Sequence, residues 1–250
     1  MKKTFSSKKS AFSLIELSIV LIIIGLLIAG ITGGASLIKS SELRSIMGEA
    51  RGYAVSVNSF FTQYDRYPGD SDINVGSNST VTGDRDNKIE FVNDAGTKVA
   101  EGIDAWYDLK DIGAIDLALT VSGTMALPGA LVPVTNIPGS KIKGAGWVFD
   151  YYAGTKLQNV VVLTGTTVGG VTSLINEATA SNNLSSVIIS APDSLSIDSK
   201  IDDGKADTGN VQAINKSATA ADMCSSSALY SIANGAKKVC ALTFRVDVSS

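Results

Sequence analysis

The stretch Phe12-Ser13-Leu14-Ile15-Glu16-Leu17-Ser18-Ile19-Val20-Leu21-Ile22-Ile23-Ile24-Gly25-Leu26-Leu27-Ile28-Ala29 decides how the chain is read. From Phe12 to Ile31 it carries one charge, Glu16. Twenty residues in a helix, at about 1.5 Å each, reach roughly 30 Å, the thickness of a bilayer's hydrocarbon core. The helical pattern does not stop with the apolar run. Leu43, Ile46/Met47, Ala50, Tyr53/Ala54, Val57, Phe60/Phe61 and Tyr64 recur at spacings of three and four, with Ser45, Glu49, Arg51 and Asn58 between them. That is the stripe of an amphipathic helix, and no proline interrupts it before Pro68. The spacing predicts one helix over 12–64, its segment 12–31 in lipid and its second half packed on a folded head over 65–250.

The start of this stretch, Lys8-Lys9-Ser10-Ala11-Phe12-Ser13-Leu14-Ile15-Glu16-Leu17, resembles the processing site of type IV prepilins and of type II secretion pseudopilins. In that family a short basic leader ends in a small residue, usually glycine. A peptidase of the inner membrane cuts there, and the new terminal residue is N-methylated. The resemblance implies a leader over 1–11, a cut after Ala11, and N-methylated Phe12 as the mature terminus. Glu16 is then the family's assembly glutamate. It further implies an inner-membrane, single-pass protein with its head in the periplasm, which assembles with other pilin subunits on an inner-membrane platform into a filament. An ordinary secretory signal cut at Gly33-Gly34-Ala35 is the competing reading of the same stretch. Against it stand the length of the apolar run, the charge inside it and the stripe that continues beyond.

Glu16 has a physical argument of its own. A carboxylate within the apolar part of a membrane helix costs about 2.5–3.5 kcal/mol on insertion scales, so it calls for a partner. No basic residue of the mature helix occurs before Lys39, which directs the expectation to another chain. In the resembling family that partner is the terminal amine of a neighbouring subunit.

Composition narrows the function classes. The chain has 250 residues, 44% hydrophobic, with 21 basic and 24 acidic residues. Four of the lysines (2, 3, 8 and 9) lie in the leader, so 17 basic face 24 acidic residues in the mature chain, a net charge of −7. An acidic head is a poor general binder of nucleic acid. There is no histidine, which removes Ser-His-Asp and Cys-His sites and His-ligated metals. No nucleophile motif or glycine-rich phosphate loop supports the competing class, a membrane-anchored periplasmic enzyme or binding protein. No catalytic residue is assigned. Gly25, Gly30, Gly33 and Gly34 lie in the first half of the helix; they suit either local melting of the helix or close packing against another one.

The head reads as α+β, a small antiparallel sheet with short helices. Tyr64-Asp65-Arg66-Tyr67-Pro68-Gly69-Asp70 ends the long helix in a turn and resembles the helix-to-head junction of one group of bacterial pilins. Asp84, Asp86 and Asn87 read as a solvated turn rather than a calcium loop, since the glycine and bidentate glutamate of such a loop are missing. Residues 100–112 predict a helix on Ile103, Trp106 and Leu109, closed by Gly113, and 122–146 a loop with one short edge strand. Trp147–Tyr152 and Leu157–Leu163 predict a hairpin, with Val187–Ile189 extending or following that sheet. Pro192–Asp203 predicts a short helix stopped by Gly204.

Asp198, Asp202, Asp203 and Asp207 form a dense carboxylate cluster in a segment that again resembles the same pilin group. A calcium site and a capped, solvated helix end are the two readings of it. In an exported domain, Cys224 and Cys240 read as one disulfide near the C-terminus, as pilins commonly carry. Cys240, Leu242, Phe244, Val246 and Val248 alternate with Val239, Thr243, Arg245 and Asp247 and predict a strand with one face in the core. The head, about 185 residues, is larger than simple major pilins carry, which inclines the reading to a minor or specialised subunit.

Overall fold

The computed structural model describes residues 13–70, 83–91, 101–116, 131–133, 137–152, 156, 158–167, 174–175, 186–215 and 223–247. The expected leader, the Ala11–Phe12 junction and Val248 lie outside them. The chain divides into two compact units, Met1–Glu42 and Leu43–Ser250. Helix α1, Leu14–Tyr64, runs through both without interruption, as its stripe predicts. Its last turn ends where Asp65 adopts φ 54° and donates its N–H to the Phe61 carbonyl, just ahead of Pro68.

In the second unit, α1 buries Leu43, Ile46, Ala50, Val57 and Phe60, with Met47, Tyr53, Ala54, Phe61 and Tyr64 packed beside them. This is the predicted stripe. It meets an antiparallel sheet made of β1 (Gly146–Tyr152), β2 (Gln158–Thr164), β3 (Ile189–Ser190), β4 (Val211–Asn215) and β7 (Lys238–Arg245). β1 and β2 are the predicted hairpin, in register from Gly146↔Thr164 to Tyr152↔Gln158. β7 is the central strand: β2 pairs with it at residues 242–245, β3 at Cys240 and Lys238, and β4 at 240–244. Two further short strands, β5 (Ser225–Ser226) and β6 (Leu229–Tyr230), form a small hairpin within the segment closed by the cysteines.

Both faces of the sheet are covered. Trp147, Phe149, Val161, Leu163, Leu242 and Phe244 belong to the cluster that includes α1. Val148, Val160, Val162, Ile214 and Ala241 face a second cluster built with Phe91, Ile103, Leu131, Ile137, Leu174 and Ile175. The expectation that β7 has one face in the core is corrected here: Ala241 and Thr243, on its other face, are both fully buried. Helix α2 (Glu101–Asp111) puts Trp106 and Leu109 in the first cluster and Ile103 in the second. It approaches β1 so closely that a Cβ on Gly102 would stand 2.4 Å from the Phe149 carbonyl oxygen. Helix α3 (Ala191–Ile201) starts at Ser190, whose hydroxyl accepts the Asp193 N–H, with proline in its first turn.

Candidate functional site

Three features merit a functional reading: the N-terminal half of α1, the carboxylate clusters of the head, and the disulfide segment.

The first half of α1 is apolar and uncovered. Leu14, Ile15, Leu17, Ile19–Ile24, Leu26, Leu27, Ile28, Ile31, Leu37 and Ile38 are exposed wherever they are large and hydrophobic. It is the one described helix long and apolar enough to cross a membrane, and no residue of its most apolar window is buried. A Cβ on Gly25, Gly30, Gly33 or Gly34 would meet no atom of the described chain, so the fold itself does not demand glycine there. At its start, the Glu16 carboxylate accepts the backbone N–H of Ser13 at 2.8 Å. Ser13-Leu14-Ile15-Glu16 is thus half of a capping box, in which the third residue of the helix reaches back to the residue before it. The sequence directs Glu16 to a partner in another chain; the Ser13 N–H is a partner within its own.

The carboxylates at the end of α3 are organised by the loop they hold. Asp198, fully buried, accepts the Gly204 N–H at 3.1 Å on one oxygen and the Tyr230 hydroxyl at 2.8 Å on the other. Burial raises the Asp198 pKa and, more strongly, that of Tyr230, so the phenol is the donor. Asp202 accepts the N–H groups of Asn210 and Val211. Asp203 accepts the Lys205 N–H and the Thr208 hydroxyl. Oxygens of Asp198, Asp202 and Asp203 lie within 4.8 Å of one another, and Asp207 is not part of that group. Every one of the three caps backbone or hydroxyl donors, which accounts for their positions as a helix end; the same three oxygens have the hardness and spacing that calcium uses.

A second cluster was not visible in the sequence. Asp70 and Glu101, both fully buried, stand with Asp84 in a group of oxygens within 4.8 Å. Asp70 accepts the N–H groups of Arg85 and Asn87; Glu101 accepts those of Asp84 and Glu90. The segment expected to be a solvated turn is therefore a strap across the head, with Ile89 and Phe91 fully buried. Only Arg85 and Asn87 within 83–91 are exposed. Deeper still, Asp150 of β1 accepts four backbone N–H groups, from Phe91 and Tyr151 on one oxygen and from Leu174 and Ile175 on the other. Burial lifts Asp70, Asp108 and Asp150 to about 6 each, against the pull of these donors. A charge inside the run Trp147–Tyr152 was the one sequence sign of such a latch.

Cys224 and Cys240 are joined, with Cα atoms 4.8 Å apart, and both are fully buried. The bond closes the segment that carries β5, β6 and a 3-10 turn at Ile232–Asn234. Leu229 and Ile232 of this segment are exposed.

Residues 6–32 match the family model described as the prokaryotic N-terminal methylation motif. The match spans the expected processing site and runs into the uncovered half of α1. No match is found among curated proteins or among solved structures.

Proposed function

We propose that this chain is a structural subunit of a type IV pilus or of a type II secretion pseudopilus. The observation that carries the reading is the methylation motif, which runs into an unbroken helix whose apolar segment has no cover among the described residues. Bilayer lipid covers that segment before assembly, and the same segments of neighbouring subunits cover it in a filament core, where close packing replaces lipid contact. Glycines at 25, 30, 33 and 34, where a side chain would meet none of the described residues, suit the close approach of such neighbours. In this reading Ala11 and Phe12 are substrates of a prepilin peptidase and its methyltransferase. The head faces the periplasm, the partners are further pilin subunits and the inner-membrane assembly platform, and the chain performs no catalysis. The acidic clusters serve as caps, and no metal enters the mechanism.

Glu16 decides between neighbouring subunits and helix capping as the reason for a carboxylate in lipid. Pairing with the methylated amine of a neighbouring subunit would neutralise two charges and set the stagger between helices. Glu16→Gln retains an N3 side chain that reaches the Ser13 N–H and removes the charge. Glu16→Leu removes both. In a strain lacking the native copy, both variants should insert and be cut after Ala11, and both should yield at least about tenfold less sheared filament than wild type. Wild-type yield from Glu16→Gln would assign the residue to capping alone, and wild-type yield from both would leave it without a role in assembly.

A further inference from the structure

We propose that Glu49 is the clamp through which pulling force along α1 enters the head. The proposal rests on the filament reading only for the source of the force: a subunit held by its N-terminal helix is loaded along that helix. The first buried residue of α1 is Leu43, so the load passes to the sheet between Leu43 and Tyr64. Most of the contact there is apolar, through Leu43, Ile46, Ala50, Val57 and Phe60. Apolar attraction has no direction, so it resists sliding only through shape.

Glu49 is directional. One carboxylate oxygen accepts the Ser140 hydroxyl at 2.6 Å and the Trp147 indole N–H at 2.9 Å; the other accepts the Lys141 N–H at 3.2 Å. All three donors belong to β1 or to the loop that feeds it. That loop is itself closed by Ser140 N–H to the Ala145 carbonyl and Trp147 N–H to the Pro138 carbonyl, both at 2.9 Å. Trp147 is fully buried, edge-on to Tyr53 of α1 at 5.5 Å and tilted on Phe244 of β7 at 5.6 Å. A slip of α1 by one residue, about 1.5 Å, is large against the tolerance of a hydrogen bond, and it loads all three bonds together because one carboxylate makes them. Bonds loaded together resist more than bonds broken in turn, which is what makes this contact a clamp rather than an ordinary anchor.

The test is constant-force rupture of single full-length chains held in detergent micelles, in two pulling geometries. In the first, handles at Ser36 and Asp247 draw force along α1 into the head. In the second, handles at Asp65 and Asp247 apply it beyond α1. Because both are measured on the same variant, a general loss of stability cancels. Glu49→Gln should rupture at least about tenfold faster than wild type in the first geometry and stay within about twofold in the second. Ser140→Ala, which deletes one donor, should move the same way by less. Equal acceleration in both geometries, or none in the first, overturns the clamp. Neither result depends on whether filaments form, so failure of the clamp and failure of the filament reading are separate outcomes.

Discussion

Gly69 shows how much one residue of this chain can be required to do. Its φ is +83°, its N–H is accepted by Asp108 at 2.8 Å, and a Cβ there would stand 2.3 Å from the Glu101 carbonyl oxygen. The position is left-handed and closely approached by backbone, so a side chain is opposed twice over. Gly69→Ala should destabilise the head by about 3 kcal/mol, read as a lowered urea midpoint with an unchanged slope. A loss under about 0.5 kcal/mol would mean that the turn relaxes and that the close approach to α2 is not rigid. The Pro-Gly pair announced a turn in the sequence, but what the turn packs against could not be read there. The same holds for Asp70 beside it, which is fully buried. Local chemistry determines the turn; burial of the carboxylates is determined by donors far along the chain, such as the Arg85 N–H for Asp70, 15 residues away, and the Phe91 N–H for Asp150, 59 residues away.

At the scale of elements, what was legible had a period. Helix α1 is marked by its stripe, and the hairpin β1–β2 by two β-branched runs separated by a turn. Helix α2 is marked by Ile103, Trp106 and Leu109, and its end by Gly113, at φ +72°, whose N–H donates to the Lys110 carbonyl. β4 escaped because Gln212 and Asn215 break its alternation; what makes it a strand is pairing with β7 from Val211↔Phe244 to Asn215↔Cys240. β7 was legible as a strand and misjudged as half-exposed, because its second cover comes from distant residues such as Phe91, Leu131 and Leu174. A strand's period tells which residues share a face, and not whether another layer arrives to cover it. The disulfide pairing was readable because two cysteines in an exported chain leave one choice. The carboxylate cluster near α3 was readable as residues that come together, though three of its four members do so.

For the whole molecule, the head's buried carboxylates set its response to pH. Asp70, Asp108 and Asp150 bind their protons more tightly in the folded head, at about 6, than at their ordinary value of 3.8. Their stabilising contribution is therefore fully present below about 4 and is lost as pH rises through 6. Asp203 has the opposite sign, but it is exposed and acts only below its ordinary range. Thermal unfolding followed through Trp106 and Trp147 should accordingly occur about 3–6 °C higher at pH 5 than at pH 7.5. A higher midpoint at pH 7.5 would show that the backbone donors around Asp150 outweigh its desolvation. Assembly is read from the intact mass of this chain recovered from filaments sheared off cells that express it. A filament subunit yields a chain in the filament fraction that begins at Phe12 and carries one methyl group on its terminal amine. A chain confined to the soluble periplasm and beginning at Ser36 would contradict it.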